Sequence, residues 1–247
     1  MAGSPTSSSL TAGEARRVAL FAQGLSGPRP SGGPAATLRQ LGGVQLDTIS
    51  VLARSHELVA YARHGPLPRG AIEEAYWGPS SETFEYWSHA ACILPLEDWP
   101  LYAITRRARL ARGRRWHLLE NEAASCADVV ARLGAEGPLT ARQLGGAKKG
   151  GVWWDWSEVK IAAEWLLDTG VLVCRQRRGF QRVYDLAERA IPVHWRSGSG
   201  ATRSAPSRWS RRPDGRSVSL PRLTWPSTRV CRRRWCSACW ATPTSSR

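Results

Sequence analysis

The sequence lacks both a long apolar run and a secretory leader. Its 247 residues are 42% apolar and 22% charged, yet no stretch approaches the roughly 18 consecutive apolar residues that a bilayer span needs. Met1 to Leu10 has neither a basic n-region nor an apolar h-region. The composition supports packed cores and excludes a wholly disordered chain. We therefore expect a cytoplasmic monomer without membrane contact, built as one large domain or two small ones.

Acidic residues are almost absent from the last 56 residues. The formal net charge is +15, but residues 1–191 hold 23 basic and 19 acidic side chains (+4), whereas residues 192–247 hold 12 arginines and one acid, Asp214 (+11). This tail has 11 Ser and 5 Trp and no Lys, Glu, Phe, Tyr or Ile. Such a composition indicates an out-of-frame reading of GC-rich DNA. We hypothesise a frameshift close to residue 192; resequencing that finds no in-frame helical, acid-containing continuation would contradict it.

Cysteine and histidine are too scattered to predict a metal site. Cys236 and Cys239 form a CxxC pair preceded by Cys231, but no fourth ligand stands at the usual spacing, so we expect no metal. The other cysteines lie in apolar settings typical of reduced core thiols; they are Cys92, Cys126 and Cys174. The sequence also lacks a kinase, protease or nucleotide-binding loop.

Capping signals and apolar spacing predict an α+β, mostly helical chain. Thr11 and Glu14 have the spacing of a capping box, and Pro34 can open a second helix that Gly42 closes. The predicted elements of this first part are helices over 12–25, 34–41 and from Ile49, a strand over 83–87 and a helix over 95–112. The stretch from His56 to Arg63 could equally be a strand. This order suits a winged helix.

A second unit begins near Gly134. Thr140 can cap a short helix, and Asp155 or Ser157 can cap another that runs to Asp168. Two strand-like runs, 171–175 and 180–186, then flank a turn with glycine at its tip, which indicates a β-hairpin wing. Its arginines are placed to meet phosphates; they are Arg175, Arg177, Arg178 and Arg182.

The predicted organisation is therefore a pair of tandem winged-helix units with small β-hairpin wings. The boundaries are a disordered N-terminus at 1–10, a first unit at 11–120, a second at 121–191 and the disordered, aberrant tail at 192–247.

The first candidate for chemistry is Gln45-Leu46-Asp47. In an extended segment, alternation places Gln45 and Asp47 on one side, about 7 Å apart along the strand. An amide and a carboxylate so placed could hold a water between an orienting group and a general base. Spacing alone favours the structural alternative, in which Asp47 caps the following helix.

Four other groups have both structural and functional interpretations. Arg54 and His56 follow the motif closely and are candidates for DNA contact, although a helical His56 is more often structural. An aromatic cluster at 84–90 is typical of a core. We expect the Trp-rich link at 153–157 to pack between the helices of the second unit.

Six arginines within ten residues form the last group. They mark either a solvated helix face or a phosphate-binding surface, and the sequence favours neither; they are Arg106, Arg107, Arg109, Arg112, Arg114 and Arg115.

Several long strings, in family order from Ala15 to Arg189, resemble the YcaQ/AlkZ-type crosslink-repair DNA glycosylases, bacterial proteins built of tandem winged helices. The strings are ARRVALFAQGL, LGGVQLDTISVLARSHELVAYARHGPL, FEYWSHAACILP, GPLTARQL, VWWDWSEVKIAAEWLLDTGVLV and RRGFQRVYDLAER. The family's catalytic Gln-aliphatic-Asp motif matches Gln45, Leu46 and Asp47, which reverses the preference above. The resemblance implies excision of N7-alkylated purines from double-stranded DNA and unhooking of interstrand crosslinks, without metal or organic cofactor, by a nucleoid-associated protein.

The chemistry that the resemblance implies needs few groups. An N7-alkylguanine is cationic and leaves without protonation, so what remains is an oxocarbenium-like sugar and an attacking water. Asp47 would stabilise the cation and deprotonate the water that Gln45 orients. No lysine stands near the motif in sequence to form a Schiff base, which predicts a monofunctional glycosylase.

The sequence departs from the family's pattern after residue 191. Members continue with a further winged helix and a barrel-like C-terminal domain, and here the tail stands in their place. We expect a truncated or frameshifted member, which leaves an active and an inert chain both open. The alternative is a non-catalytic, regulatory winged-helix DNA-binding protein, which would read base edges and prefer one sequence.

Overall fold

Helices provide most of the regular structure in this α+β chain. The computed structural model describes residues 10–113, 121–146 and 157–196. The helices are α1 (Ala12–Ala22), α2 (Gly33–Leu41), α3 (Ser55–His64), α4 (Arg69–Trp77), α5 (Ala103–Arg112), α6 (Glu122–Glu136), α7 (Glu158–Thr169), α8 (Ala187–Ala190) and α9 (Val193–Arg196), with a 3-10 helix at Leu96–Tyr102. The strands are β1 (Val44–Gln45), β2 (Thr83–Trp87), β3 (Ala91–Pro95), β4 (Leu139–Thr140), β5 (Leu172–Arg178) and β6 (Gln181–Leu186).

All six strands belong to one antiparallel sheet in the order β1-β3-β2-β5-β6-β4. The first three strands come from the first half of the chain and the last three from the second half. The halves join where β2 pairs with β5, at Glu85 opposite Cys174. The described residues accordingly belong to one compact unit, in which the predicted units share a sheet.

Local signals explain the helices that the sequence predicts. Thr11 accepts a hydrogen bond from the Glu14 N–H while the Glu14 carboxylate accepts one from the Thr11 N–H, so the predicted capping box at α1 is confirmed. Gly42 closes α2 with a left-handed backbone. Ser157 caps α7 by accepting from the Lys160 N–H. Residues 55–64 are helical, which decides between helix and strand there.

The basic hairpin of β5 and β6 turns at Gly179 and Phe180, both of which have positive φ. Positive φ at both central residues is the requirement of the two-residue turn that matches strand twist. Glycine adopts it freely, whereas Phe180 (φ 64°) is strained. Contacts of the Phe180 ring with the first half of the chain, described below, offset that strain.

Two hydrophobic cores flank the two ends of the sheet, and a third bridges its halves. The first packs α2, α3 and α4 on β1 and β3, and includes Leu38, Tyr76 and Ile93. The second packs α6 and α7 on β5 and β6. The bridging core combines Phe84 and Tyr86 of β2 with residues of the second half; these are Val173, Ala187 and Ile191. This shared packing explains why the predicted units do not form separate sheets.

Three predicted segments differ from the structure, and the first is the short helix predicted after Thr140, where residues 141–145 form a turn. The predicted helix over 95–112 is a 3-10 helix followed by α5, because Pro100 lacks the N–H that an α-helix needs. Residues 49–53, predicted to begin a helix, form a loop before α3. The elements α4, β3 and α6 were not predicted. Residues 1–9, Arg114, Arg115, Trp153–Trp156 and the tail from residue 197 lie outside the described residues.

Candidate active site

The Gln45-Leu46-Asp47 motif lies at the end of β1. Val44 and Leu46 are buried against the core, while Gln45 is exposed and Asp47 half-buried. The Leu46 N–H donates to the Ala91 carbonyl (2.7 Å), so the extended pairing with β3 continues past β1. This pairing enforces the alternation that the sequence predicts, and it directs Gln45 and Asp47 away from the core.

Asp47 does not cap the following helix. Its Oδ1 accepts a hydrogen bond from the Ile49 N–H (2.9 Å), which forms a local turn. Helix α3 starts only at Ser55, whose hydroxyl donates to the Gln45 carbonyl (2.7 Å). These two bonds fix the start of the loop and tie its end to β1.

Asp47 lines a cavity of about 860 Å³ between the two halves of the sheet. This volume lies within the range of small-molecule and cofactor sites. From the first half come Leu46, Asp47, Thr48, Trp87, Ala90 and Ala91, and from the second half come Ala141, Arg142, Gly146, Lys160, Glu164, Arg177, Phe180, Gln181, Arg182 and Tyr184. Carboxylates, cations and three aromatic rings therefore line one cavity.

His89 is a candidate site residue that the sequence assigned to an aromatic core. Its Nε2 lies 3.3 Å from Oε1 of Gln45 and its Nδ1 4.0 Å from Sγ of Cys92. The core interpretation holds for Phe84, Glu85 and Tyr86, which are buried, whereas His89 is exposed at the β2–β3 turn. The contact with Gln45 spans 44 residues, so no local pattern could have indicated it.

The position of Lys160 removes one argument for a monofunctional enzyme. The expectation of a monofunctional enzyme rested on the absence of a lysine near the motif in sequence. In the structure Lys160 of α7 lines the same cavity as Asp47. Sequence distance therefore does not exclude a Schiff base here, and the nature of the product becomes a question for experiment.

Behind the cavity, Glu85 is the centre of a buried charge network. It is 1% exposed and accepts hydrogen bonds from the Trp77 indole (3.0 Å), from Arg177 (2.5 and 2.7 Å) and from Arg182 (3.0 Å). Burial alone would raise the pKa of Glu85, but the hydrogen bond from Arg177 and the charges of Arg182 and Arg177 lower it overall. Glu85 is thus a charged structural anchor.

The network continues to a second carboxylate. Arg182 donates from Nη1 to both oxygens of Glu164 (2.8 and 2.7 Å), and Tyr184 donates its hydroxyl to the same group (2.8 Å). Two arginines thereby balance two glutamates. The pKa of the Tyr184 phenol is raised well above its usual value by burial and by Glu164.

Most wing arginines predicted to meet phosphates are occupied inside the molecule. Arg177 and Arg182 belong to the Glu85 network, and Arg175 donates to the carbonyls of Thr83, Ala190 and Ser81. Arg178 is exposed at the hairpin tip.

His56 lies in the core rather than on a surface. It is 1% exposed, stacks on Phe180 with ring centroids 5.9 Å apart, and meets Trp77 edge-on at 5.1 Å. Burial lowers the pKa of His56 to about 4. A neutral, enclosed imidazole cannot reach a phosphate in this conformation, which matches the structural interpretation of this histidine.

Arg54 joins the motif's loop to the hairpin. Its guanidinium carbon lies 3.7 Å from the centroid of the Phe180 ring, and that of Arg177 lies 4.2 Å from the same centroid. These cation–π contacts, together with the stacked His56, hold the strained Phe180. The hairpin of the second half therefore contacts the residue that ends the motif's loop.

The arginine-rich helix α5 divides into inward and outward residues. Arg109 pairs with Asp168 (2.5 Å). Arg106 lies 4.0 Å from the Trp99 ring centroid and donates to the Trp99 carbonyl (3.0 Å), and burial lowers its pKa to about 10. Arg107 and Arg112 are exposed. The helix thus combines a packed face with a basic surface.

Neither a metal centre nor a membrane span is found in the part of the chain that the structure describes. Within it, no group of three or more His, Cys, Asp or Glu side chains could hold a metal ion. None of its helices is long and apolar enough to cross a membrane. Cys92 and Cys174 carry buried, reduced thiols, and Cys126 is half-buried.

Comparison with known proteins gives one family. A family model described as DNA glycosylase AlkZ-like matches residues 38–218, which is more than half of the chain. The matched range includes the Gln45 to Asp47 motif and both halves of the sheet, and it extends beyond residue 191. No solved structure matches the chain.

Proposed function

The chain belongs to the AlkZ-like DNA glycosylase family, and on that premise we propose that it hydrolyses the N-glycosidic bond of N7-alkylated purines in double-stranded DNA. The observation that carries this proposal is the carboxylate of Asp47 at the edge of a cavity large enough for a purine nucleotide. Enzymes that act on a base in a duplex rotate it out of the stack into such a pocket.

Asp47 is the proposed catalytic carboxylate. N7 alkylation makes the purine a cationic leaving group, so the enzyme has only to stabilise an oxocarbenium-like sugar and deliver water. A carboxylate aimed at that sugar supplies both the charge and the base. Oδ1 of Asp47 is engaged by the Ile49 N–H, which fixes the carboxylate in the loop.

Gln45 is the proposed water-orienting residue. It is exposed on the same side of the extended segment as Asp47, and its Oε1 faces Nε2 of His89 (3.3 Å). That contact limits the rotation of the amide. Trp87, which is partly exposed and lines the cavity, offers a face on which a rotated purine can stack.

The proposed scaffold is a pair of tandem winged-helix units, at 11–120 and 121–191, that share one sheet. Each half supplies three strands and the preceding helices, and the β5–β6 hairpin is the proposed wing of the second unit. Phosphate contacts are assigned to exposed arginines; these are Arg107, Arg142 and Arg178. The same cleavage at both linked purines would unhook an interstrand crosslink. This extension from single adducts to crosslinks is supported by the family resemblance alone.

Substitution of the motif tests the proposal. Asp47→Asn keeps an oxygen that can accept from the Ile49 N–H, so the loop is retained while the charge is lost. We expect single-turnover excision of 7-methylguanine to fall by at least about 100-fold in Asp47→Asn and Gln45→Ala, with duplex binding retained.

The matched control is Asp128→Asn, which removes an exposed carboxylate of α6 and should excise like the unmodified chain. Unchanged excision in Asp47→Asn would remove the motif from the mechanism. Binding without excision in the unmodified chain, with preference for one sequence, would favour the non-catalytic alternative.

A further inference from the structure

We propose that the loop Thr48–Ala53, called here the apolar loop, inserts Val51 and Leu52 into the DNA base stack where the target nucleotide has rotated out. The inference rests on the proposed function and assigns a separate task to residues outside the catalytic pair.

The apolar loop exposes three large aliphatic side chains within four residues. Ile49 is 71% exposed, Val51 87% and Leu52 92%. Loops are ordinarily polar, and each such side chain in water forfeits the free energy of burial. A contiguous apolar group on a surface marks a binding site. All three side chains therefore remain mostly exposed in the described part of the chain.

Both ends of the apolar loop are anchored. At its start the Ile49 N–H donates to Asp47, and just beyond its end Ser55 donates to the Gln45 carbonyl. Arg54, the next residue after the loop, lies on the Phe180 ring. The aliphatic side chains therefore project from a base that two hydrogen bonds and a cation–π contact hold in place.

The position of the apolar loop decides what it contacts. Ile49 follows Asp47 by two residues, so their Cα atoms are at most about 7 Å apart. Stacked bases are separated by about 3.4 Å. A duplex that brings a glycosidic bond to Asp47 therefore brings its neighbouring base steps close to Ile49 and to the loop residues that follow it.

Duplex DNA suits this loop better than a protein or a lipid surface. A rotated nucleotide leaves an apolar gap between two base pairs, and proteins that distort duplexes insert Leu, Ile or similar side chains between base steps. The exposed Arg142 lines the same cavity as Asp47, and Arg178 lies on the neighbouring hairpin. These arginines can bind the backbone phosphates that flank the gap while the apolar side chains fill the gap itself.

The test uses a duplex with a tetrahydrofuran abasic analogue, which already contains the gap and requires no bond cleavage. The full chain should bind this duplex more tightly than the undamaged one. The double variant Val51→Ser/Leu52→Ser should lower that preference about tenfold, since the apolar part of each side chain no longer fills the gap. A 2-aminopurine beside the analogue should show a fluorescence change only with the unmodified loop.

A matched control removes one leucine and one valine elsewhere. Leu101 and Val193 are 53% and 67% exposed, on the 3-10 helix and α9, and Leu101→Ser/Val193→Ser should keep the preference. Thermal unfolding of both double variants checks that the fold is retained.

The proposal would be overturned if the loop variant and the unmodified chain preferred the abasic-analogue duplex over the undamaged duplex to the same extent. It would also be overturned if the unmodified chain bound both duplexes equally. A change of self-association in the loop variant, with DNA binding unchanged, would assign the loop to contact between copies. Failure of 7-methylguanine excision refutes the catalytic proposal alone, because the analogue duplex reports the wedge independently of cleavage.

Discussion

Two titratable residues that are close in sequence, Asp47 and His56, have different surroundings in the structure. Asp47 and His56 are nine positions apart, but Asp47 borders the cavity while His56 is enclosed by Tyr76, Trp77 and Phe180. Enclosure depresses the pKa of His56 to about 4. A titratable residue near a candidate catalytic motif is thus structural when its environment excludes its charge.

The buried His56 predicts how stability depends on pH. Its folded pKa of about 4 lies below the unfolded value near 6.5, so the unfolded chain binds more protons between these values. Protonation of His56 therefore leaves the free energy of unfolding unchanged above about pH 6.5 and lowers it as the pH falls towards 4. We expect a loss of about 2 kcal/mol between pH 8 and pH 5 from this group, measured by urea unfolding.

His56→Phe keeps a ring in the cluster and should abolish that loss, while His194→Phe, which removes an exposed imidazole of α9, is the matched control. An identical pH dependence in His56→Phe and the unmodified chain would contradict the assignment.

The sequence could predict the motif's geometry but not its surroundings. Alternation in Gln45-Leu46-Asp47 is local, and pairing with β3 preserves it. His89 and Lys160 reach the site through tertiary structure, and neither has a local signal. The internal pairing of Arg177 and Arg182 has no local signal for a related reason, because their shared partner, Glu85, lies 92 residues before Arg177.

At the scale of elements, the pairing of β2 with β5 joins the two halves, and the Glu85 network stabilises it. Arg177 and Arg182 reach from β5 and β6 to a carboxylate on β2. Removing one partner from a buried ion pair leaves an uncompensated charge, which costs more than the pair contributes.

Glu85→Gln should therefore lower the free energy of unfolding by about 3 kcal/mol or more. The control on the same β2 hairpin is Glu82→Gln. Glu82 is 67% exposed and pairs with Arg39, and its loss should cost about 1 kcal/mol or less. Chemical denaturation of both variants measures the difference, and equal costs would show that the network does not join the halves.

Elements with strong end signals were predictable, and those without were missed. The helices α1, α2 and α7 begin or end at Thr11, Gly42 and Ser157, whose capping roles are encoded locally. The strand β3 is a short apolar run that periodicity cannot distinguish from a buried helix. The break at Pro100 follows from the missing N–H, although apolar spacing continues across it.

At the scale of the whole molecule, net charge is a poor guide to the DNA-binding surface. Of the +15, residues 192–247 carry +11, and among the described arginines several are paired internally. The family match extends to residue 218, beyond the position near 192 where the composition predicts a frameshift, and α9 lies between these two limits. The cavity that Asp47 lines between the two halves is therefore a better indication of where DNA binds.

The most direct measurement is product analysis on a duplex that carries a single 7-methylguanine. We predict that the chain releases free 7-methylguanine in an amount equal to the alkali-labile sites formed, and that the strand stays intact until alkali is added. No release of the base would contradict glycosylase activity. Strand cleavage before alkali, with borohydride trapping that Lys160→Ala abolishes, would contradict hydrolysis by Asp47 in favour of a Schiff base on Lys160.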